Sequence, residues 1–442
     1  MKAASRMALQ YVLLFSASGV TLPFAGLWFR DQGLSGAQIG ALLAIPMLAR
    51  AVTGPLLAVW ADGFVLRRTP IALLGLVMAV GYGGAGLVEG FVLWALFWLL
   101  GATAAAALIP LSDVMTLRVA GREGFAFSLP RGCGSAAFVV ANLVMGALLT
   151  RVSSDAVIFW AVAASLLIAV TAWRVLPAEP VSEGGPVSKL ERFQGLGRLL
   201  RRPVFMAAIF SIGAVQATHA FYYGFSAISW RAQGLAESVT GMLWAFSVVV
   251  EIGFMWWIEP WRRRIGIGPW TMLFIGAGAA VLRWSLMAFA PPLWMLIPLQ
   301  MLHALTFAAT YLAGVQIVER LCPPDSHTAA QTLSSALSAG VLIGLATLAS
   351  GPLYDAVGLK AYLAMAALAL TGGWSACGCD RRKRRQATFE RGRGARRRAM
   401  AEAAVLTAVR TVFSLSPSGI RSRPMEGDSR LSGRSARMRY RI

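Results

Sequence analysis

The stretch from Arg30 to Ala44, RDQGLSGAQIGALLA, returns 201 residues later as RAQGLAESVTGMLWA, Arg231 to Ala245. Arg, Gln, Gly, Leu, Gly, Leu and Ala coincide, and at the same shift Trp60 falls on Trp261. Shared apolar composition explains some of these matches. R-x-Q-G-L at the same place between paired apolar runs is not explained that way, and it marks a parallel internal repeat.

The chain around the repeat is a membrane protein by composition. Of 442 residues, 57% are hydrophobic and 14% charged, with a mean hydropathy of +0.63, beyond the apolar share of soluble domains. Twelve apolar runs are predicted to span, near 7–29, 38–60, 70–88, 91–115, 129–150, 154–176, 204–230, 239–260, 270–290, 293–317, 329–350 and 361–379. Most exceed the roughly 18 residues that a hydrocarbon core of about 30 Å requires. The first run follows Lys2 and Arg6 as a signal peptide would, but it is too long and lacks a small-residue cleavage site, so it reads as the first span. Cys133, Cys322, Cys377 and Cys379 fall in spans or on the predicted inner side, where disulfides are not expected, and C-x-C without a second pair is not a metal site.

Basic residues set the expected orientation, because Lys and Arg accumulate on the cytoplasmic side. With both termini inside, the inner segments before residue 380 hold sixteen: Lys2, Arg6, Arg67, Arg68, Arg118, Arg122, Arg174, Lys189, Arg192, Arg198, Arg201, Arg202, Arg262, Arg263, Arg264 and Arg320. The outer loops hold four, Arg30, Arg151, Arg231 and Lys360. The expected location is a bacterial inner membrane, crossed many times. Trp28, Trp60, Trp173, Trp230, Trp261, Trp270 and Trp294 lie at predicted span ends, where interfacial anchors are expected.

The formal charge of +21 does not point to nucleic acid, because from Asp380 onward eighteen basic and five acidic residues give +13, leaving +8 for the body. Residues 380–442 read as a basic, disordered cytoplasmic tail lying against anionic lipid headgroups. Its abrupt onset after GGWSACGCD suggests a segment outside the native coding sequence. The longest polar inner connection before it, 177–203, divides the spans into an N-terminal six-helix bundle, 1–176, and a C-terminal one, 204–379. Many secondary transporters are built from such repeats, with the substrate site near mid-membrane where the repeats meet.

Charges inside spans are the functional candidates, since each costs roughly 2.5 to 3.5 kcal/mol at a helix centre and needs a partner or an aqueous cavity. Arg50, Glu251, Arg283, His219 and His303 lie in the middle parts of spans, and Asp113 and Arg131 nearer the inner ends. The repeat lays Glu251 over Arg50 at equal depth. Three arginines against two carboxylates leave one positive charge over when the histidines are neutral. That surplus favours an anion, and the guanidinium fork suits a carboxylate better than a sugar. Protonating Glu251 widens the surplus, so proton and anion would assist each other's binding. Arg50 with Glu251 reads equally as a lock between the halves, and Asp113 with Arg131 as a gate or packing pair. In QATHAFYYGFSAISW, Tyr222 and Tyr223 stand three and four residues beyond His219 on one helical face, able to line a pocket. His219 reads either as a ligand contact or as a structural histidine. Pro23, Pro46 and Pro110 can kink their spans.

WADGFVLRR, with Asp62, Arg67 and Arg68, resembles an eroded cytoplasmic G-x-x-x-D-R-x-G-R-R signature of the major facilitator superfamily. HAFYYGFSAISW, VVVEIGF, LRWSLM, LQMLHALTF and PLSDVM together resemble its 3-phenylpropionate permease branch, over residues 7 to about 375. That branch is similar to the lactose permease group, and the resemblance implies a proton-coupled symporter with alternating access and no cofactor beyond the coupling proton. It implies that Arg131 contacts substrate and that Arg283 and His303 belong to a charge network. Where that network carries its proton-binding carboxylate, this chain has Thr306, so the proton role passes to Glu251. SLPRGCGS departs from the usual GRVRLWGS at Leu129 and Cys133, which loosens the inference about substrate.

The expectation is an all-α membrane protein of two pseudo-symmetric six-helix bundles. It would import a small organic anion, such as an aromatic carboxylate, with a proton. Arg50, Arg131, His219, Tyr222 and Tyr223 would bind substrate; Glu251, Arg283, His303 and Asp113 would couple protons; Asp62, Arg67 and Arg68 would form the gating loop. A proton-driven exporter or a sugar or nucleoside symporter shares the same features. A membrane enzyme is disfavoured, because the ionisable groups are scattered singly rather than clustered near one surface.

Overall fold

The R-x-Q-G-L repeat is a pair of helix ends in the computed structural model, which describes residues 1–181, 196–322 and 327–379. α1 (Ala3–Asp31) and α7 (Pro203–Ala217 continuing as Ala220–Ala232) both stop at its glycine. Gly33 and Gly234 have φ of +83° and +81°, the left-handed conformation that favours glycine. The amide of Leu34 reaches back to the carbonyl of Phe29 at 3.2 Å, and that of Leu235 to Trp230 at 3.0 Å. Both are the six-to-one bond of a Schellman cap, which satisfies carbonyls the helix end would otherwise orphan.

The remaining long helices are α2 (Gly36–Ala61), α3 (Arg68–Leu87), α4 (Phe91–Glu123), α5 (Ser128–Leu149), α6 (Ala156–Arg174), α8 (Glu237–Gly253, running through Phe254–Ile258 into Glu259–Arg264), α9 (Pro269–Met287), α10 (Leu293–Met301, through Ala304–Ala309 into Thr310–Leu321), α11 (His327–Ser335, through Ala336–Leu342 into Ile343–Val357) and α12 (residues 362–379). An isolated bridge, Leu66 to Pro180, is the only β-pairing among the described residues. Eleven helical runs are long and apolar enough to cross a membrane, against the twelve expected. The difference lies in Ala329–Cys379, a continuous run of 51 residues. At 1.5 Å per residue it would reach about 75 Å if straight, far beyond a hydrocarbon core; the chain instead turns through Gly358–Ala361, where Gly358 has φ of +57°.

The exterior is apolar, with Phe159 74% and Trp294 73% exposed, as a surface bathed in lipid tails requires. Trp60, Trp173, Trp261 and Trp294 are exposed as anchors should be, but Trp28, Trp230 and Trp270 are buried. Trp28 donates its indole N–H to Asp155 at 2.9 Å, so a protein partner replaces the headgroup region for that ring.

α1 to α6 pack among themselves, α7 to α12 do likewise, and the two sets meet along α1 with α7 and along two longer seams, α2 with α11 and α5 with α8. These two seams are one pair under the repeat. Gly40 and Gly241, its second shared glycine, are where each seam closes: Gly40 abuts Gly351 and Thr347, and Gly241 abuts Asn142 and Gly146. A Cβ on either would collide with backbone of the opposite set. The end of the seams carrying the α1–α2 and α7–α8 turns is also tied by polar contacts. Asp355 accepts hydrogen bonds from the amides of Gly36 (2.8 Å) and Ala37 (2.7 Å), and Arg231 bridges Asp31 (2.7 Å) and Glu237 (2.6 Å).

At the other end, the signature loop grips the chain leaving α6. Arg67 donates from its backbone to Glu179 and from its guanidinium to the Val181 carbonyl at 2.7 Å; Arg68 reaches the Leu176 carbonyl at 3.2 Å; Arg122 pairs with Glu179. Burial and neighbouring Arg118 push the Arg67 guanidinium down from its ordinary value, against the opposing pull of Asp62 and Glu179. Asp62 itself caps the end of α2 and is exposed. Of the connection expected at 177–203, residues 182–195 with Lys189 and Arg192 lie outside the described residues, and so does the tail 380–442.

Candidate functional site

Two polar clusters face each other across the bundles. The larger is built on α7 to α10. A break in α7 at Thr218–His219 folds His219 back onto its own helix, placing Nδ1 3.0 Å from the Gln216 carbonyl, and sets Nε2 3.0 Å from the Thr306 hydroxyl on α10. Arg283, on α9, is fully buried. Its Nη1 lies 3.0 Å from His303 Nδ1 and donates to Thr306 at 3.2 Å, while Nη2 donates to Gln300 Oε1 at 2.8 Å. Tyr222 donates to the same Gln300 oxygen at 3.1 Å and stacks on Trp244, and the Arg283 guanidinium lies over the Tyr222 and Trp284 rings at 4.9 and 4.5 Å. Cation–π attraction of this kind is strongest where water is excluded. The acceptors on Arg283 are all neutral, so its positive charge has no carboxylate partner within the cluster.

Glu251 Oε2 lies 3.7 Å from Nε2 of His303, on its face away from Arg283. The glutamate is partly exposed, at 17% for its side chain. Both residues sit at the start of π-helical turns, Phe254–Ile258 beginning three residues after Glu251 and Ala304–Ala309 directly after His303. Such widened turns recur at functional positions, because they free backbone groups and re-aim side chains. Tyr223, on the α7 face shared with His219 at 5.7 Å between rings, is half-buried and within electrostatic reach of Glu251.

The smaller cluster belongs to α1, α4 and α5. The Tyr11 hydroxyl donates to Asp113 at 2.5 Å, and the Arg131 guanidinium lies over the Phe15 ring at 4.2 Å and the Tyr11 ring at 5.9 Å. Asp113 and Arg131 therefore form no direct ion pair among the described residues, contrary to the expected gate pair; Tyr11 stands between them. Arg131 and Glu251 belong to α5 and α8, the two helices of one seam between the bundles. The expected Arg50–Glu251 lock is likewise not formed. Arg50, on α2, is exposed, with no ionic or hydrogen-bond partner among the described residues.

Sequence reasoning passed over Tyr11, Phe15, Trp244, Trp284 and Gln300. Only Gln300 carried a signal, one turn before His303 on the same face of α10. Metal-binding groups of three or more His, Cys, Asp or Glu are absent among the described residues.

Residues 4–364 match the MFS_1 like family. The chain belongs to that family of transporters. Among the relatives of this MFS_1-like chain is the "Probable 3-phenylpropionic acid transporter" of Escherichia coli (strain K12), 28% identical over 370 residues, covering 82% of this chain and 94% of the relative. "Maltose permease" of Geobacillus stearothermophilus is also 28% identical, over 353 residues, covering 78% and 86%. The crystal structure of nucleoside transporter NupG superposes with a TM-score of 0.76 at 18% identity, covering 86% of this chain and 99% of that one, a likeness of fold. The all-helical membrane architecture is thus that of the major facilitator superfamily, and the family and these relatives are transporters rather than enzymes.

Proposed function

We propose that this MFS_1-like protein is a proton-coupled importer of a small organic anion, an aromatic carboxylate, working by alternating exposure of the cleft between its two bundles in a bacterial inner membrane with both termini inside. The observation that carries this reading is Arg283, a buried cation held only by neutral acceptors, with Glu251 two contacts away and Arg131 opposite. A charge-poor interior that keeps an uncompensated guanidinium is prepared for an anion. Arg131, lying on Phe15 and Tyr11, offers a carboxylate its free edge and an aromatic ring a stacking floor. Arg50 adds a second exposed positive charge on the approach. His219 and Tyr222 are already occupied by protein partners, so their part is to shape the pocket, whereas half-buried Tyr223 supplies a hydroxyl to the cargo.

Protonation of Glu251 removes the negative charge that faces Arg131 and leaves that guanidinium to the substrate, so each binding event favours the other. Movement of the bundles separates Glu251 from Arg131 and lets the proton go. The name of the relative from Escherichia coli supports an aromatic acid, and that of the Geobacillus relative supports a sugar by the same fold.

Reconstituted vesicles given radiolabelled 3-phenylpropionate, maltose or uridine, with and without an imposed pH gradient, test the reading. Accumulation of the aromatic acid that collapses with the gradient is expected. Gradient-driven uptake of maltose or uridine alone, or efflux of the acid against inward protons, overturns it.

A further inference from the structure

We propose that the two buried histidines are fixed as opposite neutral tautomers, His219 with its proton on Nδ1 and His303 with its proton on Nε2, and that they orient Glu251 rather than carry the transported proton, so that one proton moves per cycle. The tautomers follow from which atoms can donate. A guanidinium has five N–H groups and no acceptor. Nδ1 of His303, 3.0 Å from Arg283 Nη1, must therefore present its lone pair, and a neutral imidazole then carries hydrogen on Nε2, the nitrogen 3.7 Å from Glu251. The Gln216 carbonyl can only accept, so Nδ1 of His219 at 3.0 Å must donate, and its Nε2 accepts the Thr306 hydroxyl proton at 3.0 Å. The Thr306 oxygen keeps a lone pair for Arg283 at 3.2 Å. From Gln216 through His219, Thr306 and Arg283 to His303 each hydrogen bond then has one donor and one acceptor, the remaining His303 N–H points at Glu251, and reversing either ring breaks the sequence.

The same geometry bars both rings from protonation. A proton on Nδ1 of His303 would point at an N–H of a cation. A proton on Nε2 of His219 would move the Thr306 hydroxyl proton from that 3.0 Å contact to the His303 carbonyl at 3.4 Å and set two cations on one oxygen in a site closed to water. Only Glu251 can gain and lose a proton without dismantling the network. It is faced by His303 from α10, Tyr223 from α7 and Arg131 from α5. Asp113, already holding the Tyr11 hydroxyl, lies in the opposite cluster. Thr306 and His219 are positioning residues in this scheme: they fix Arg283, which fixes the tautomer of His303, which aims an N–H at the carboxylate.

The tautomers stand whether or not transport is proton-coupled, while the stoichiometry rests on that reading, and the two are tested separately. The chain has three histidines, His219, His303 and His327, so ¹⁵N-histidine labelling of the full chain in lipid nanodiscs, with His327→Gln and His219→Asn for assignment, resolves each ring by nuclear magnetic resonance. Between about pH 5.5 and 8, the range in which an ordinary histidine titrates, each buried ring is expected to keep one protonated and one bare nitrogen, bare at Nδ1 in His303 and at Nε2 in His219. A doubly protonated ring or a reversed tautomer overturns the proposal. In vesicles with the membrane potential clamped, log accumulation of 3-phenylpropionate is expected to rise by about one per unit of pH gradient. His303→Gln, which keeps an N–H donor, is expected to transport more slowly with that slope kept and its pH midpoint moved. A slope of about two, or loss of all gradient-driven accumulation in His303→Gln with binding retained, makes a histidine the carrier and refutes the proposal. Absence of gradient-driven uptake in the unmodified protein refutes proton coupling and the stoichiometry but not the tautomers.

Discussion

Asp355→Ala removes both acceptors that hold the first amides of α2 to the end of α11, Gly36 at 2.8 Å and Ala37 at 2.7 Å. Loss of an acceptor at a helix start costs about 0.5–2 kcal/mol, and loss of a negative charge from the positive end of the helix dipole about 0.3–1 kcal/mol. Asp355 is exposed, so the lower parts of both ranges apply, about 1–2 kcal/mol together. The start of α2 survives the change, because Ser35 caps it independently in a reciprocal box with Gln38. The loss therefore falls on contact between the two bundles at this end. With 1.4 kcal/mol per tenfold, the equilibrium between conformers closed and open there should shift toward open by about fivefold to thirtyfold. Spin labels at Val152→Cys and Val357→Cys, both half-exposed at this end of opposite bundles, in a background with the four native cysteines replaced, read the populations by electron double resonance. Asp355→Asn, which keeps one acceptor oxygen, should give a smaller shift. Populations in Asp355→Ala within about twofold of the unmodified protein would refute the reasoning, because that corresponds to less than about 0.5 kcal/mol.

Glu251→Gln should abolish accumulation against a gradient while leaving exchange of labelled for unlabelled substrate, and undiminished uphill uptake would remove the proton role from this residue. Arg131→Lys keeps the charge but loses the fork stacked on Phe15 and Tyr11, and should weaken anion affinity by about tenfold or more in equilibrium binding. Gly40→Val and Gly241→Val should each prevent their seam from closing, because even a Cβ at Gly40 would stand 2.9 Å from the Gly351 backbone; crosslinking of cysteine pairs across each seam measures this. Arg283→Met strands the acceptors on His303, Thr306 and Gln300 while removing an isolated buried cation, so a modest fall in thermal stability, about 1–3 kcal/mol, should accompany weakened anion affinity in equilibrium binding.

Much of the site was legible only as a set of depths. The spacing of His219, Tyr222 and Tyr223 predicted one shared helical face; the structure breaks the helix at Thr218–His219, sets the His219 ring 5.7 Å from that of Tyr223, and stacks Tyr222 on Trp244. The 201-residue shift equated Arg50 with Glu251, but equivalence under a repeat states how deep two groups lie and not that they touch. An ion pair requires atoms within about 4 Å, which depends on helix rotation and crossing, and these left Arg50 exposed and gave Glu251 to His303.

By itself the sequence determined the membrane setting, the repeat and the glycines that execute it, because lipid tolerates only apolar, internally bonded helices and a left-handed helix end or a backbone-to-backbone seam favours the residue without a Cβ. Only the tertiary structure decided which polar groups share a hydrogen bond. Arg283, His303, Thr306 and His219 come from three helices separated by up to 87 residues. Their partnership, and the donor rules that follow from it, exists only where the packed helices bring single atoms within about 3 Å.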